Sequence, residues 1–335
     1  MGRLPAAVQG PSSGLRSMKD TEASWPLTVV TLSEPFDLVA NLSEAQDPRI
    51  RLVRPEEVED PGAVTCALAW RPAADAFDPY PNLKMVSSIA AGVDSIISCP
   101  SLPAGVTVTR VRDDEQARMM AGFAAWHVAY HHRRMGDYLA NQKTRSWDRV
   151  YRPRMASTVP VGILGFGLMG QQTARVLTAM GYRVLAASRS GGTGMDGVEI
   201  FSGPEAITDV AARSEILVNL LPLTEQTQDV LNAGLFARMP EGAVLVQLGR
   251  GEHLVESDLL AALDSGHLAA ASLDVFRQEP LPADSPFWDH PKIVLTPHKA
   301  SDTTRDEILR QLADNYAALI QGRIPAGAVD RSAGY

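Results

Sequence analysis

The 335-residue sequence has only two cysteines, Cys66 and Cys99, with no Cys-x-x-Cys pair and no cluster of cysteine with histidine. That scarcity excludes a disulfide framework and a structural zinc site as the basis of the fold, and a reducing, cytoplasmic setting is expected. Long hydrophobic runs are missing too: no stretch approaches the roughly 20 apolar residues of a membrane-crossing helix. The opening residues are rich in Gly, Pro, Ala and Ser and lack the apolar core of a signal peptide. Residues 1–24 read as a loose tail, within which Met18 is compatible with a start. Positive charge is short as well, since 31 Lys and Arg against 39 Asp and Glu leave a net charge of -8. That is the wrong sign for a phosphate backbone or an anionic membrane surface, so neither is an expected partner.

What is present is an ordinary globular composition, 45% hydrophobic and 21% charged, in a chain too long for one core of typical size. From Leu27 onward, short β-branched and apolar runs alternate with longer helix-like stretches. Strands are expected at 27–32, 65–70, 84–89 and 106–109, then at 159–164, 182–187, 215–220, 243–248, 269–273 and 292–295. Residues 114–141 read as one long helix between the two groups of strands, and 303–321 as a helix returning to the first. The fold class that follows is α/β, with two doubly wound Rossmann-like domains, a cleft between them and a discontinuous substrate domain. Residues 25–120 and 299–335 are assigned to the substrate-binding domain and 121–298 to the dinucleotide-binding domain. Residues 141–155, aperiodic and containing Trp147 and Tyr151, are assigned to an arm that packs on a second copy of the chain.

The strand ending at Leu164 runs directly into Gly165-Phe166-Gly167-Leu168-Met169-Gly170 and then a helix-like stretch. In that context the glycines have separate tasks: a tight turn at Gly165, close approach of backbone to a pyrophosphate at Gly167, and close packing of helix on strand at Gly170. The helix amino terminus adds unpaired N–H groups and the positive end of its dipole. At the end of the next strand, where an acidic residue would bind the ribose 2′-OH of NAD, the sequence has Ser188-Arg189-Ser190. Hydroxyls and a guanidinium suit a 2′-phosphate, so NADPH/NADP+ is preferred over NADH/NAD+.

Three further strands end in polar residues: Gln247-Leu248-Gly249-Arg250-Gly251, Asp274-Val275-Phe276-Arg277-Gln278-Glu279-Pro280 and Thr296-Pro297-His298. With these motifs the chain, from about Trp25 to Tyr335, resembles the D-isomer-specific 2-hydroxyacid dehydrogenases, and among them the bacterial glyoxylate/hydroxypyruvate reductase A type. The run from Ala90 to Ile96, the run from Glu256 to Gly266, Glu279-Pro280-Leu281-Pro282 and Val329-Asp330-Arg331 carry the same likeness. The resemblance implies NADPH-dependent reduction of a small 2-keto acid, with Arg250, Glu279 and His298 as the catalytic set. Arg250 supplies a fixed cation for carboxylate and carbonyl, and His298 a proton, while Glu279 holds its ring and favours its protonated form. It further implies cofactor contacts at Leu221, Pro222, Leu248 and Gly249, a nicotinamide contact at Asp274, a substrate loop at Ala91, Gly92 and Val93, a pocket wall at Trp70, and a homodimer. For Asp274 a cap on the following turn, and for Trp70 a place in the core, remain alternatives.

His127 and His131, four apart on the expected long helix, have a metal-ligand spacing. Without the Glu of a His-Glu-x-x-His motif they read as a solvated or dimer-facing surface, and no metal is expected. Two other functions remain open at this stage. One is another D-2-hydroxyacid dehydrogenase, of the phenylpyruvate or phosphoglycerate type. The other is a non-catalytic, nucleotide-sensing scaffold like the corepressors related to these enzymes.

Overall fold

In a computed structural model of the protein, the described residues are 25–149, 154–189, 191, 194–331 and 334. The expected tail, residues 1–24, lies outside them. The first α/β unit consists of β1 (Leu27–Ser33), the short α1 (Leu38–Asn41), β2 (Ile50–Val53), β3 (Cys66–Trp70), β4 (Met85–Ser88), the short α2 (Asp94–Ile97) and β5 (Thr107–Thr109). Helices α3 (Asp114–His132) and α4 (Met135–Thr144) follow. The second unit runs through β6 (Pro160–Leu164), α5 (Leu168–Ala179), β7 (Arg183–Ala187), β8 (Val198–Phe201), α6 (Ala206–Ala212), β9 (Ile216–Asn219), α7 (Ala233–Phe236), β10 (Ala243–Gln247), α8 (Glu256–Asp264), β11 (Leu268–Leu273) and β12 (Ile293–Leu295). Helix α9 (Arg305–Ile320) comes last.

The first sheet has the order β2-β1-β3-β4-β5 and the second β12-β11-β10-β9-β6-β7-β8, with neighbouring strands parallel throughout. Strands covered on both faces need apolar side chains on both, which is why Cys-Ala-Leu-Ala-Trp of β3 and Ala-Val-Leu-Val-Gln of β10 read as unbroken runs. In each sheet the order reverses once, between β1 and β3 and between β6 and β9. The carboxyl ends beside such a reversal open a crevice.

Two strands escaped the sequence reading, β2 and β8. Both lie at sheet edges, are four residues long and are largely half-exposed, with Arg51 and Glu199 inside them, so neither produces an apolar run. The expected helix over 114–141 is broken instead at Arg133 and Arg134, the latter in the left-handed region at φ 53°. No glycine or proline marks the break. His132 beside it is held by the Tyr182 hydroxyl at 2.9 Å and the Arg154 carbonyl at 3.0 Å, tying the end of α3 to the second unit.

The chain closes back on the first unit as expected. Ile308, Leu309, Leu312 and Tyr316 of α9 pack with Leu27, Val29, Leu68 and Met85, and Thr109 forms an antiparallel bridge with Ala328. Helix α3 leads from the first unit onto the second. Beyond its N-cap at Asp113, Met120, Ala124, Ala125 and Val128 pack against Val161, Ile163, Ala174 and Leu177 of the second.

His127 and His131 correct the sequence reading. His127 is buried and His131 half-buried, and both rings turn inward, with Nδ1 of His127 and Nε2 of His131 2.8 and 2.7 Å from the Ser272 hydroxyl on β11. Burial pushes each imidazole down to about 4, so both are neutral near pH 7. One ring donates to the hydroxyl oxygen and the hydroxyl donates to the other. Of the expected arm, Trp147 is 91% exposed, and Tyr151 lies outside the described residues. Helix α4 leading into it has no buried residue.

Candidate active site

The glycine loop follows β6 directly. Gly165 has φ 94°, and a Cβ there would come within 2.7 Å of the Leu220 carbonyl oxygen. A Cβ on Gly170 would run into the Gly165 carbonyl, so α5 packs on the strand only because that side chain is absent. Gly167, the N-cap of α5, faces open space, with nothing within 4 Å of a Cβ placed on it. Phe166 is buried in the core, and Leu168 and Met169 supply the first helical turn. The loop therefore presents a bare helix amino terminus at the strand reversal, a fit for a pyrophosphate.

At the end of β7, Ser188 is buried and its N–H donates to the Phe201 carbonyl at 2.9 Å, while Arg189 follows at the surface. Ser190 lies outside the described residues. The loop after β9 contains Leu221 and Pro222. The Leu221 N–H donates to Asn219 Oδ1 at 3.2 Å, and the Pro222 carbonyl lies 3.2 Å from His253 Nε2.

The segment carrying Arg250 is set by a buried polar network that sequence reading missed. Asn219 Nδ2 donates to Gln247 Oε1 at 2.7 Å and to His253 Nδ1 at 3.0 Å, and His253 Nδ1 also accepts the Arg250 N–H at 3.1 Å. Burial pushes His253 down to about 4, which leaves it neutral with Nδ1 as acceptor and Nε2 as donor toward Pro222. Leu248 is buried, and Gly249 is enclosed by His253 and Asn219. The Arg250 guanidinium emerges from this frame and crosses to the first unit. Its Nε donates to Asp94 Oδ1 at 3.1 Å and its Nη1 to the Gly249 carbonyl at 3.0 Å, and a Cβ on Gly92 would overlap Nη2. The expected substrate loop and Arg250, the expected catalytic cation, are thus in contact. Within that loop Val93 is buried in the core, so it offers only backbone, and the Gly92 carbonyl accepts from the Ser88 hydroxyl at 2.7 Å.

Glu279 and His298 meet as the motifs suggested. His298 Nδ1 lies 2.9 Å from Glu279 Oε2 and 3.1 Å from Oε1, while Nε2 makes no hydrogen bond among the described residues. His298 has φ 54°, and its N–H donates to the Asp274 carbonyl at 2.8 Å. The Asp274 carboxylate accepts from the Thr296 hydroxyl at 2.6 Å and from the N–H groups of Lys299 and Ala300 at 2.9 and 3.0 Å. Asp274 thus braces the neighbouring His298 loop and not the turn that follows it in the chain. Burial works against ionisation of Glu279, but the His298 hydrogen bond and charge, the Phe276 N–H and Arg71 outweigh it and hold the carboxyl down at about 2. Arg71 was not read from the sequence. It follows Trp70 at the end of β3 and reaches Glu279 Oε2 at 2.9 Å, its guanidinium 5.9 Å from the centre of the half-buried Trp70 ring. Among the described residues, no group of three or more His, Cys, Asp or Glu could hold a metal ion.

Comparison with known proteins bears on this arrangement. Residues 125–300 match the family model described as D-isomer specific 2-hydroxyacid dehydrogenase, NAD binding domain. The chain is 42% identical over 274 residues to the glyoxylate/hydroxypyruvate reductase A of Serratia proteamaculans, covering 80% of this chain and 87% of that one. The enzyme of the same name from Salmonella paratyphi B is 37% identical over 288 residues, covering 84% and 91%. Among solved structures, a D-isomer specific 2-hydroxyacid dehydrogenase from Xanthobacter autotrophicus, in complex with NADPH and MES, superposes with TM-score 0.85 at 35% identity over 93% of this chain and 100% of that one. The NADPH-dependent glyoxylate/hydroxypyruvate reductase of Sinorhizobium meliloti, in complex with NADP and sulfate, gives 0.84 at 34% identity over 92% and 100%. With this likeness spanning both units, the chain belongs to the D-isomer-specific 2-hydroxyacid dehydrogenases.

Proposed function

We propose that this protein reduces short 2-keto acids, glyoxylate and hydroxypyruvate first among them, to 2-hydroxy acids with NADPH as reductant. The observation that carries the reading is an imidazole tied to a carboxylate at Nδ1 and open at Nε2, in a cleft where Arg250 lies against Gly92. The names of the relatives and the NADPH and NADP in the related crystal structures support it.

In this mechanism Arg250 and the backbone of Ala91, Gly92 and Val93 bind the substrate carboxylate, and Trp70 walls the pocket. The Arg250 guanidinium also polarises the carbonyl, whose oxygen gains negative charge as it is reduced. His298 gives that oxygen a proton from Nε2, and Glu279 keeps the ring aimed and compensates its charge. The nicotinamide, when bound, supplies the hydride. Gly165–Gly170 takes the pyrophosphate, Ser188, Arg189 and Ser190 the 2′-phosphate, and Leu221, Pro222, Leu248 and Gly249 line the approach to the cleft. Three of the roughly four acceptor positions of the Asp274 carboxylate are committed to the His298 loop, so a nicotinamide contact there would use the remaining one.

The domain reading places residues 25–120 and 299–335 on the substrate side and 121–298 on the cofactor side, with action in the cytoplasm. The exposed Trp147, Met135, Leu139 and Met155 support pairing of two copies through α4 and the arm. Light scattering at micromolar concentration tests this, and a clean monomer refutes it.

The function is tested by initial rates across glyoxylate, hydroxypyruvate and phenylpyruvate with each cofactor. NADPH should be favoured about ten- to a hundredfold in kcat/KM, the worth of one charge-assisted contact, and Ser188→Asp with Arg189→Ala should reverse the order. Absence of turnover with every keto acid overturns the proposal. Equal use of NADH and NADPH overturns the cofactor assignment alone.

A further inference from the structure

Arg71 stands where no catalytic motif points, yet it touches the acid–base pair from the opposite unit. Its backbone lies in the left-handed region at φ 44°, a conformation that costs a non-glycine residue energy and persists only where the surroundings enforce it. Here they do: its N–H donates to Ser95 Oγ at 3.3 Å, and its carbonyl accepts the Glu34 N–H at 3.2 Å. The result is a guanidinium held over the cleft with Nη2 on Glu279 Oε2.

The two oxygens of Glu279 are anchored separately. Oε1 accepts the Phe276 N–H at 3.1 Å from its own loop, Oε2 accepts Arg71 from across the cleft, and His298 Nδ1 lies between them. With one anchor removed, the carboxylate can turn about its terminal bond and the imidazole loses its fixed direction.

We propose that Arg71 is a positioning residue for the acid–base pair, fixing the second oxygen of Glu279 so that His298 is aimed only while the two units stand at this separation. The proposal rests on the keto-acid reductase reading above. It adds that the first unit supplies, besides the walls of the pocket, a charge that completes the proton-delivering pair of the second.

The test is steady-state reduction of hydroxypyruvate with NADPH by the full chain and by Arg71→Asn, Arg71→Lys, Glu279→Gln and the double variant Arg71→Asn/Glu279→Gln. Asn is chosen because it tolerates a left-handed backbone and cannot reach the carboxylate. Arg71→Asn should lower kcat about five- to twentyfold, the range for losing one half-exposed charged hydrogen bond, with KM changed less than about twofold. Arg71→Lys should recover part of the loss. In the Glu279→Gln background, Arg71→Asn should change kcat by less than about twofold, since its effect runs through that carboxylate. Fully additive losses, or an undiminished kcat in Arg71→Asn, would overturn the proposal. So would a raised KM with kcat intact, which would make Arg71 a direct contact of the keto acid. If the unmodified chain reduces no keto acid at all, the underlying reading fails instead, an outcome distinct from these.

Discussion

His298 retains 34% of its side-chain exposure and is tied to a carboxylate at one nitrogen only, whereas His127, buried, and His131, half-buried, pack against the hydroxyl of Ser272. The same ring has been put to opposite uses. A carboxylate at one nitrogen orients the ring and leaves its far nitrogen open, while burial beside a hydroxyl within an apolar wall favours a neutral ring. Surroundings separate a working histidine from a packing one more cleanly than sequence spacing does. His127 even leaves Nε2 buried without a hydrogen-bond partner, its ring centroid 4.7 and 4.6 Å from those of Phe123 and Trp126.

The sharpest way to break this comparison is to remove one histidine of each kind. His298→Asn keeps a residue that tolerates the left-handed backbone and should lose about 10²- to 10⁴-fold in kcat for keto-acid reduction. Its thermal midpoint should fall by only a few degrees, about the loss of one half-exposed hydrogen-bonded pair. Retained turnover in this variant would remove His298 from the chemistry. His127→Leu should do the reverse, destabilising by about 1–3 kcal/mol in urea unfolding while kcat changes less than about threefold. A collapse of kcat with normal stability would mean that this histidine pair takes part in catalysis.

A third test is read in acid. His127, His131 and His253 have folded values near 4, below the ordinary value of 6.5, so the unfolded chain binds more protons between those limits. Their contribution to stability is complete above pH 6.5, is lost as pH falls toward 4, and changes no further below that. Each adds a slope of up to about 1.4 kcal/mol per pH unit. Glu279, lowered to about 2 from 4.5, erodes stability in the same direction but at lower pH. Urea midpoints at pH 7, 6 and 5 should therefore fall steadily, and His131→Gln should flatten the fall by about one proton. An unchanged slope in that variant would mean that His131 is not the neutral group described.

Much of this site was legible in the chain because its chemistry sits in short local motifs. Gly165 to Gly170 follow a strand that announces itself by apolar residues, and Glu279 and His298 lie at neighbouring strand ends that the parallel order brings together. What escaped was set by distant partners. Nothing near Arg71 indicates that it faces Glu279 across more than 150 intervening positions, and the loop assigned to substrate beside Asp94 does not show that the Asp94 carboxylate itself meets Arg250, since both pairings depend on how the two units meet. The inward turn of His127 and His131 was hidden for the same reason. Ser272 is a small polar residue in an apolar strand, and only the packing of α3 on the second sheet shows that two imidazoles converge on it. The edge strands β2 and β8 failed differently, their half-exposed faces diluting the pattern that identifies buried strands.

The two ion pairs that cross the cleft run in opposite senses. Arg71 of the first unit faces Glu279 of the second, and Asp94 of the first faces Arg250 of the second. Because the polarity alternates, the fields of these two pairs largely cancel beyond a few ångströms, which leaves the net charge of -8 to dominate at long range. A small anion approaching from solvent is therefore not drawn in over long distances. Its arrival rate should rise as salt screens the net charge, the opposite of what a basic funnel would give.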